Sequence, residues 1–155
     1  MNLQSRPASG RPFPRRAFAA AVTAVALLLS PALSHAQSTT GKPNKVVLQV
    51  SDGDAKKWGL ALNNAYNVQS DLGAETTDLE IVVYGPGIGM LKSDSPVAAR
   101  IASAMKSGIK VVACENTLAA QKLAKADMLP DIGYVPAGVV ELMKKQQQGY
   151  AYIRP

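Results

Sequence analysis

The stretch Ile109-Lys-Val-Val-Ala-Cys114-Glu-Asn-Thr-Leu-Ala-Ala-Gln-Lys-Leu-Ala-Lys125 reads as a buried strand that passes directly into a helix. Its first half is almost continuously apolar and β-branched, as a strand covered on both faces requires, and the helix is expected to run on until Pro130 stops it. Cys114, the only cysteine of the chain, stands at the junction. Amides at a helix N-terminus can lower a thiol pKa below its ordinary value of about 8.5, and either Asn116 or Thr117 is the expected cap. Glu115 opposes that effect by adding negative charge beside the sulfur.

Working outward, the same alternation recurs on both sides. Lys45 to Val50 reads as the first, central strand, followed by Ser51-Asp52-Gly53-Asp54 as turn and helix cap. Trp58, Ala61, Ala65, Val68 and Leu72 then repeat at three and four residues along one helical face that Gly73 ends. Leu79 to Tyr84 is the next strand and feeds Gly85-Pro86-Gly87-Ile88-Gly89-Met90. These glycines match neither a dinucleotide loop nor a Walker loop, and no Lys-Ser/Thr pair follows, so they are expected to turn the chain rather than cradle a phosphate. Ser93, Asp94 or Ser95 caps a helix with Pro96 in its first turn, running through Ala98, Ile101 and Met105 towards Gly108. Asp131 to Val135 is a short strand. Ala137 to Gln148 is a helix read with Val140 and Met143 inside and Lys144, Lys145 and Gln146 to Gln148 outside, and Tyr150 to Ile153 closes the sheet.

Strands alternating with helices at this spacing give an α/β fold: a three-layer α/β/α sandwich around a mostly parallel sheet of about five strands, flavodoxin-like in appearance. Sites in such sheets form at the carboxyl ends of strands. That rule gathers Ser51 to Asp54, Gly85 to Met90, Cys114 to Thr117 and Gly133 to Ala137 on one edge. The candidate site is Cys114 with Glu115, Asn116 and Thr117 beside it, and Asp52, Gly53, Tyr84, Gly85, Gly87 and Gly89 in the neighbouring loops.

Residues 1 to 36 read as a cleavable signal peptide. Arg6, Arg11, Arg15 and Arg16 precede an apolar run from Phe18 to Leu29, too short to span a bilayer core of ~30 Å as a helix, and Ser34-His35-Ala36 suits signal peptidase. Arg15-Arg16-Ala17-Phe18 leaves the Sec and twin-arginine routes both open. Residues 37 to 44 are a polar leader, and the domain is placed at 45 to 155. Removing four arginines from the seventeen basic residues leaves thirteen against eleven acids, so the mature chain is nearly neutral and no nucleic-acid partner is expected. The only histidine, His35, lies in the signal, which excludes a Ser-His-Asp triad, a Cys-His pair and a His-containing zinc site within one mature chain. No metal, no cofactor and no internal disulfide are expected. Cys114 is therefore a buried filler, a reactive thiol, or half of an intermolecular bond.

Several blocks resemble the DsrE/DsrF-like family of sulfur-relay proteins, in particular its small exported members. They are Val-Val-Leu-Gln-Val in the first strand, Val-Val-Tyr-Gly-Pro-Gly after the second, and Val-Ala-Cys-Glu-Asn-Thr-Leu around Cys114. They continue in Leu-Pro-Asp-Ile-Gly-Tyr-Val-Pro-Ala-Gly-Val-Val-Glu-Leu and in the ending Gln-Gly-Tyr-Ala-Tyr-Ile-Arg-Pro. The resemblance implies that Cys114 accepts a sulfane sulfur as a persulfide and exchanges it with a donor or acceptor protein. It also implies a homo-oligomer, trimer or hexamer; the signal segment, unlike the cytoplasmic relays of the family, points to a periplasmic or secreted protein. Many members carry His before the Gly-Pro of the second-strand loop, where this chain has Tyr84. The competing class is a non-catalytic oligomeric or small-ligand-binding module in which the cysteine only packs; a flavin or nucleotide enzyme ranks behind both because the loops lack those fingerprints.

Overall fold

The computed structural model describes residues 41–155; the segment read as a signal peptide and residues 37 to 40 of the leader lie outside them. The strands are β1 (Asn44–Val50), β2 (Thr77–Val83), β3 (Lys110–Cys114), β4 (Gly133–Val135) and β5 (Ala151–Ile153). The helices are α1 (Ala55–Leu72), α2 (Ala98–Lys106), α3 (Glu115–Gln121) and α4 (Gly138–Gln147), with short 3-10 runs at Ala74–Thr76, Gly85–Leu91 and Lys125–Asp127. All strand pairs are parallel, in the order β4-β3-β2-β1-β5. The chain thus steps outward from β1 to β4 and then crosses back to lay β5 on the free side of β1. That return makes β2 the middle strand and β1 an interior neighbour, where the sequence reading had put β1 at the centre.

Right-handed crossovers that step in one direction put their helices on one face, and a step back puts its helix on the other. The side chains follow this rule. Val46, Leu48, Val50, Leu79, Ile81, Val83, Val111 and Ala113 join Trp58, Ala61, Leu62 and Ala65 of α1, Ile101 and Ala104 of α2, and Leu118 of α3 in one large cluster. The alternate residues Val47 and Val82 form a much smaller cluster with Leu142 of α4 and Tyr150, flanked by Tyr84 and Val112. The three-layer α/β/α architecture is therefore present, with very unequal layers.

Helix starts and stops have local causes. Asp54 caps α1 by accepting the Lys56 amide at 2.8 Å, and Gly73, at φ 84°, ends it. Leu72 is exposed there and Leu62 is buried, because the core-facing stripe drifts along eighteen residues. Pro96 lies in the turn before α2 rather than in its first turn. Helix α3 is much shorter than its sequence suggests: Lys122 adopts the left-handed conformation at φ 56°, and the Leu123 amide closes back on Leu118 O at 2.9 Å. In α4 Lys144 and Gln146 to Gln148 are outside as expected, but the inward positions differ. Val140 and Met143 are exposed, whereas Leu142 and Lys145 face the sheet.

The turn after β2 is seated against β1. A Cβ at Gly87 would stand 2.6 Å from the Val50 carbonyl oxygen and 2.9 Å from its carbon, backbone that cannot yield without parting the strand from its neighbours. Gly87→Ala is expected to destabilise the fold by about 1–3 kcal/mol in urea unfolding. Gly53→Ala, whose Cβ would meet Pro86 at an ordinary 3.6 Å, should stay within about 0.5 kcal/mol of wild type.

Candidate functional site

Strands β3 and β4 lie side by side, with Cys114 opposite Val135, yet they hand over to helices on opposite faces. Adjacent strands whose connections diverge in this way leave a crevice at their carboxyl ends, the usual position of a site in a parallel sheet. Cys114 lies in that crevice. It is itself the residue preceding α3, at φ −78° and ψ 115°, so the helix begins at Glu115 with no intervening loop. Asn116 and Thr117 are thereby inside the first turn, not capping residues as the sequence suggested, and their amides belong to the unpaired set of a helix start.

Three hydrogen bonds tie the strand-end loops together. Gly87 N–H donates to Ser51 O at 3.2 Å, Gly85 N–H to the Thr117 hydroxyl oxygen at 3.0 Å, and Asn116 N–H to Pro136 O at 3.1 Å. Gln121 Nε2 adds a bond to Gly85 O at 3.1 Å. The glycine loop therefore uses the amides of Gly85 and Gly87 within the fold, and they form no phosphate cradle. Gly89 packs beneath the Trp58 ring, where a Cβ would meet Cη2 at 3.2 Å. Asp52 and Gly53 stand one loop further from the thiol. Asp52 pairs with Lys57 at 3.3 Å and accepts the Trp58 indole N–H on its backbone carbonyl at 2.7 Å, while Gly53 lies over Pro86.

Cys114 is 5% exposed, and its Sγ stands 3.9 Å from Pro136 O, to which the thiol can donate. Burial pushes the thiol pKa up, but hydrogen bonds to sulfur from the Thr117 hydroxyl and from the Gly138, Thr117 and Asn116 amides outweigh it and hold the thiol below its ordinary value. Their parts differ. The Asn116 amide is already engaged by Pro136 O, so the Thr117 and Gly138 donors matter most. Because the Thr117 oxygen accepts from Gly85 N–H, its own proton is free to point at sulfur. Glu115, expected to oppose the thiolate, is paired with Lys125 at 2.7 Å, which offsets its charge. Gly138 was not among the residues singled out in the sequence, where nothing local connects it to Cys114. It is buried against Tyr84, whose Cβ would lie 3.0 Å from a Cβ at position 138.

The model of the DsrE/DsrF-like family matches residues 44–155. The chain belongs to the DsrE/DsrF-like family. A protein of unknown function, MTH1491, from Methanobacterium thermoautotrophicum is similar at 31% identity and a TM-score of 0.69, over 72% of this chain and 99% of that one. The ychN protein of E. coli, at 11% identity and a TM-score of 0.60, covers 72% of this chain and 99% of its own. A conserved protein of unknown function, BT1422, from Bacteroides thetaiotaomicron matches at 18% identity and 0.59, covering 72% and 95%. The last two show the fold alone. A comparison with curated proteins finds no match. Membership makes this a protein of a sulfur-relay-type family, with the five-stranded parallel α/β fold of its structural relatives. Among the described residues, no helix is long and apolar enough to cross a membrane.

The donors around sulfur predict a measurable titration. In the native protein the midpoint of Cys114 alkylation against pH should lie below that of the urea-unfolded chain, near the reference of about 8.5. Thr117→Val, which removes the hydroxyl donor, should move the native midpoint up, and Thr117→Ser should restore it.

Proposed function

We propose that this is an exported sulfur carrier in which Cys114 accepts sulfane sulfur from one protein and yields it to another. The observation that carries the reading is the convergence of donors on the only thiol of the chain, in a crevice at the strand ends, in a chain of a sulfur-relay-type family. In the transfer step the Cys114 thiolate attacks the outer sulfur of a donor persulfide. A new S–S bond forms on Cys114, the donor's S–S bond breaks, and the donor leaves as a thiolate. The Thr117 hydroxyl and the Gly138 and Thr117 amides stabilise the attacking thiolate; passing the sulfur on reverses the step at an acceptor thiolate. Asn116 and Pro136, both exposed, form the rim through which a partner's sulfur enters.

The signal-like N-terminus supports action in the periplasm or outside the cell, and the apolar side chains of Val139, Val140 and Met143 exposed on α4 fit assembly into a homo-oligomer. The second reading, a non-catalytic module with Cys114 as filler, draws on the 5% exposure of that residue.

Incubating the mature protein with a sulfane-sulfur donor and weighing it intact separates the two. The carrier gains one sulfur atom in the wild type and none in Cys114→Ser, and it labels with a small thiol reagent while folded. No gain in the wild type, together with labelling only on unfolding, rejects the carrier. Sequencing the N-terminus of exported protein should return Gln37 as its first residue.

A further inference from the structure

Helix α4 is the only described element covering the second face of the sheet, and little apolar surface holds it there. Its buried residues are Gly138, Leu142 and Lys145, so Leu142 is its one large buried apolar side chain. These three positions form a ladder down β2. Gly138 rests on Tyr84, Leu142 shares a cluster with Val82, and Lys145 Nζ reaches Glu80 Oε2 at 2.6 Å. Residues 84, 82 and 80 lie on one face of the strand, and 138, 142 and 145 lie on one face of a helix running the other way.

A buried ion pair is a poor source of net stability, because desolvating both charges offsets their attraction. Glu80 shows this plainly: it is 4% exposed, and its Oε1 is buried without a hydrogen-bond partner among the described residues. What such a pair does well is specify position. With one leucine in the contact, sliding α4 by a turn of about 5.4 Å would sacrifice little apolar burial, but it would strand two buried charges. We propose that the Lys145–Glu80 pair is a positioning device for Cys114: it sets the register of α4 along the sheet, and so brings the first amide of that helix, at Gly138, to the sulfur. The lever is long, since Lys145 stands two turns, roughly 10 Å, from Gly138. Its other end is tied at the crevice, where Pro136, two residues before α4, receives the Asn116 amide and lies 3.9 Å from Sγ.

The charged and titratable groups around the pair are Asp78 on β2, Lys110 on β3, Glu141 on α4 at 3.8 Å from Lys145, and Tyr150 ahead of β5. Near the thiol they are Glu115 with its partner Lys125, and Tyr84. None of these changes in the variants below. The purpose of the device rests on the sulfur-carrier reading, but its action is measured on the thiol alone, so either idea can fail without the other.

The test is the pH midpoint of Cys114 alkylation by iodoacetamide in the folded full-length mature protein. E80Q/K145M, which removes both charges together, is expected to raise the midpoint enough to slow alkylation at pH 7 by about three- to tenfold. Glu80→Asp keeps the charge but shortens its reach, and should move the midpoint the same way by less. Lys144→Met, an exposed neighbour on α4, and Leu48→Ala, a core truncation on the opposite face, should leave it in place even though the second lowers the melting temperature. A midpoint unmoved in E80Q/K145M and Glu80→Asp, or in whichever of them folds, overturns the proposal and leaves the pair with a structural role only.

Discussion

The constraint behind the rest of this molecule is the handedness of its crossovers. Three consecutive steps in one direction place α1, α2 and α3 on one face of the sheet, and the single step back places α4 on the other. Strands β3 and β4 are neighbours that part company at their ends, so the starts of α3 and α4 flank one crevice. Cys114 ends β3, and the donors it meets come from both helices. The bond from Asn116 N–H to Pro136 O closes the gap between the two connections.

The two faces are held by different physics. The first is an apolar core of ordinary size. The second carries charges where the first carries leucines: Lys145 on Glu80, the Tyr150 hydroxyl on Asp78 at 2.6 Å, and Lys145 over the Tyr150 ring at 4.8 Å. Burial pushes the Asp78 carboxyl up, but the Tyr150 hydroxyl and Lys110 outweigh it and hold it below the usual range. Its contribution to stability is present above about pH 4 and is lost as pH falls through the lower folded value. Burial holds Glu80 above its usual value despite Lys145, so its contribution has the opposite sign and weakens as pH rises past about 4 through the higher folded value. The tyrosine is raised in turn, by its burial and then by Asp78.

Most of the scaffold was legible in the chain. Apolar runs marked β1, β2 and β3, glycines and prolines marked the turns, and the strand ends gathered the loops that the hydrogen bonds indeed link. Two errors have physical reasons. Helix α3 stops at Gln121 because Lys122 takes a left-handed conformation that its side chain does not advertise. The inward face of α4 was misplaced because Val139, Val140, Leu142 and Met143 share one arc of about 160° and only its Leu142 edge turns to the sheet, continued by Gly138 and Lys145. A lysine with an apolar stem can lie against a sheet if a carboxylate waits there, and Glu80 does, sixty-five residues earlier in the chain.

By itself the sequence determined the alternation of strands and helices, the single thiol and its place at a strand end, because these follow from local periodicity and composition. The tertiary structure alone decided which helix covers which face, and with it the meeting of Cys114 with Pro136 and Gly138 and of Lys145 with Glu80. Those contacts join residues more than twenty positions apart, through a reversal of direction that no local pattern records.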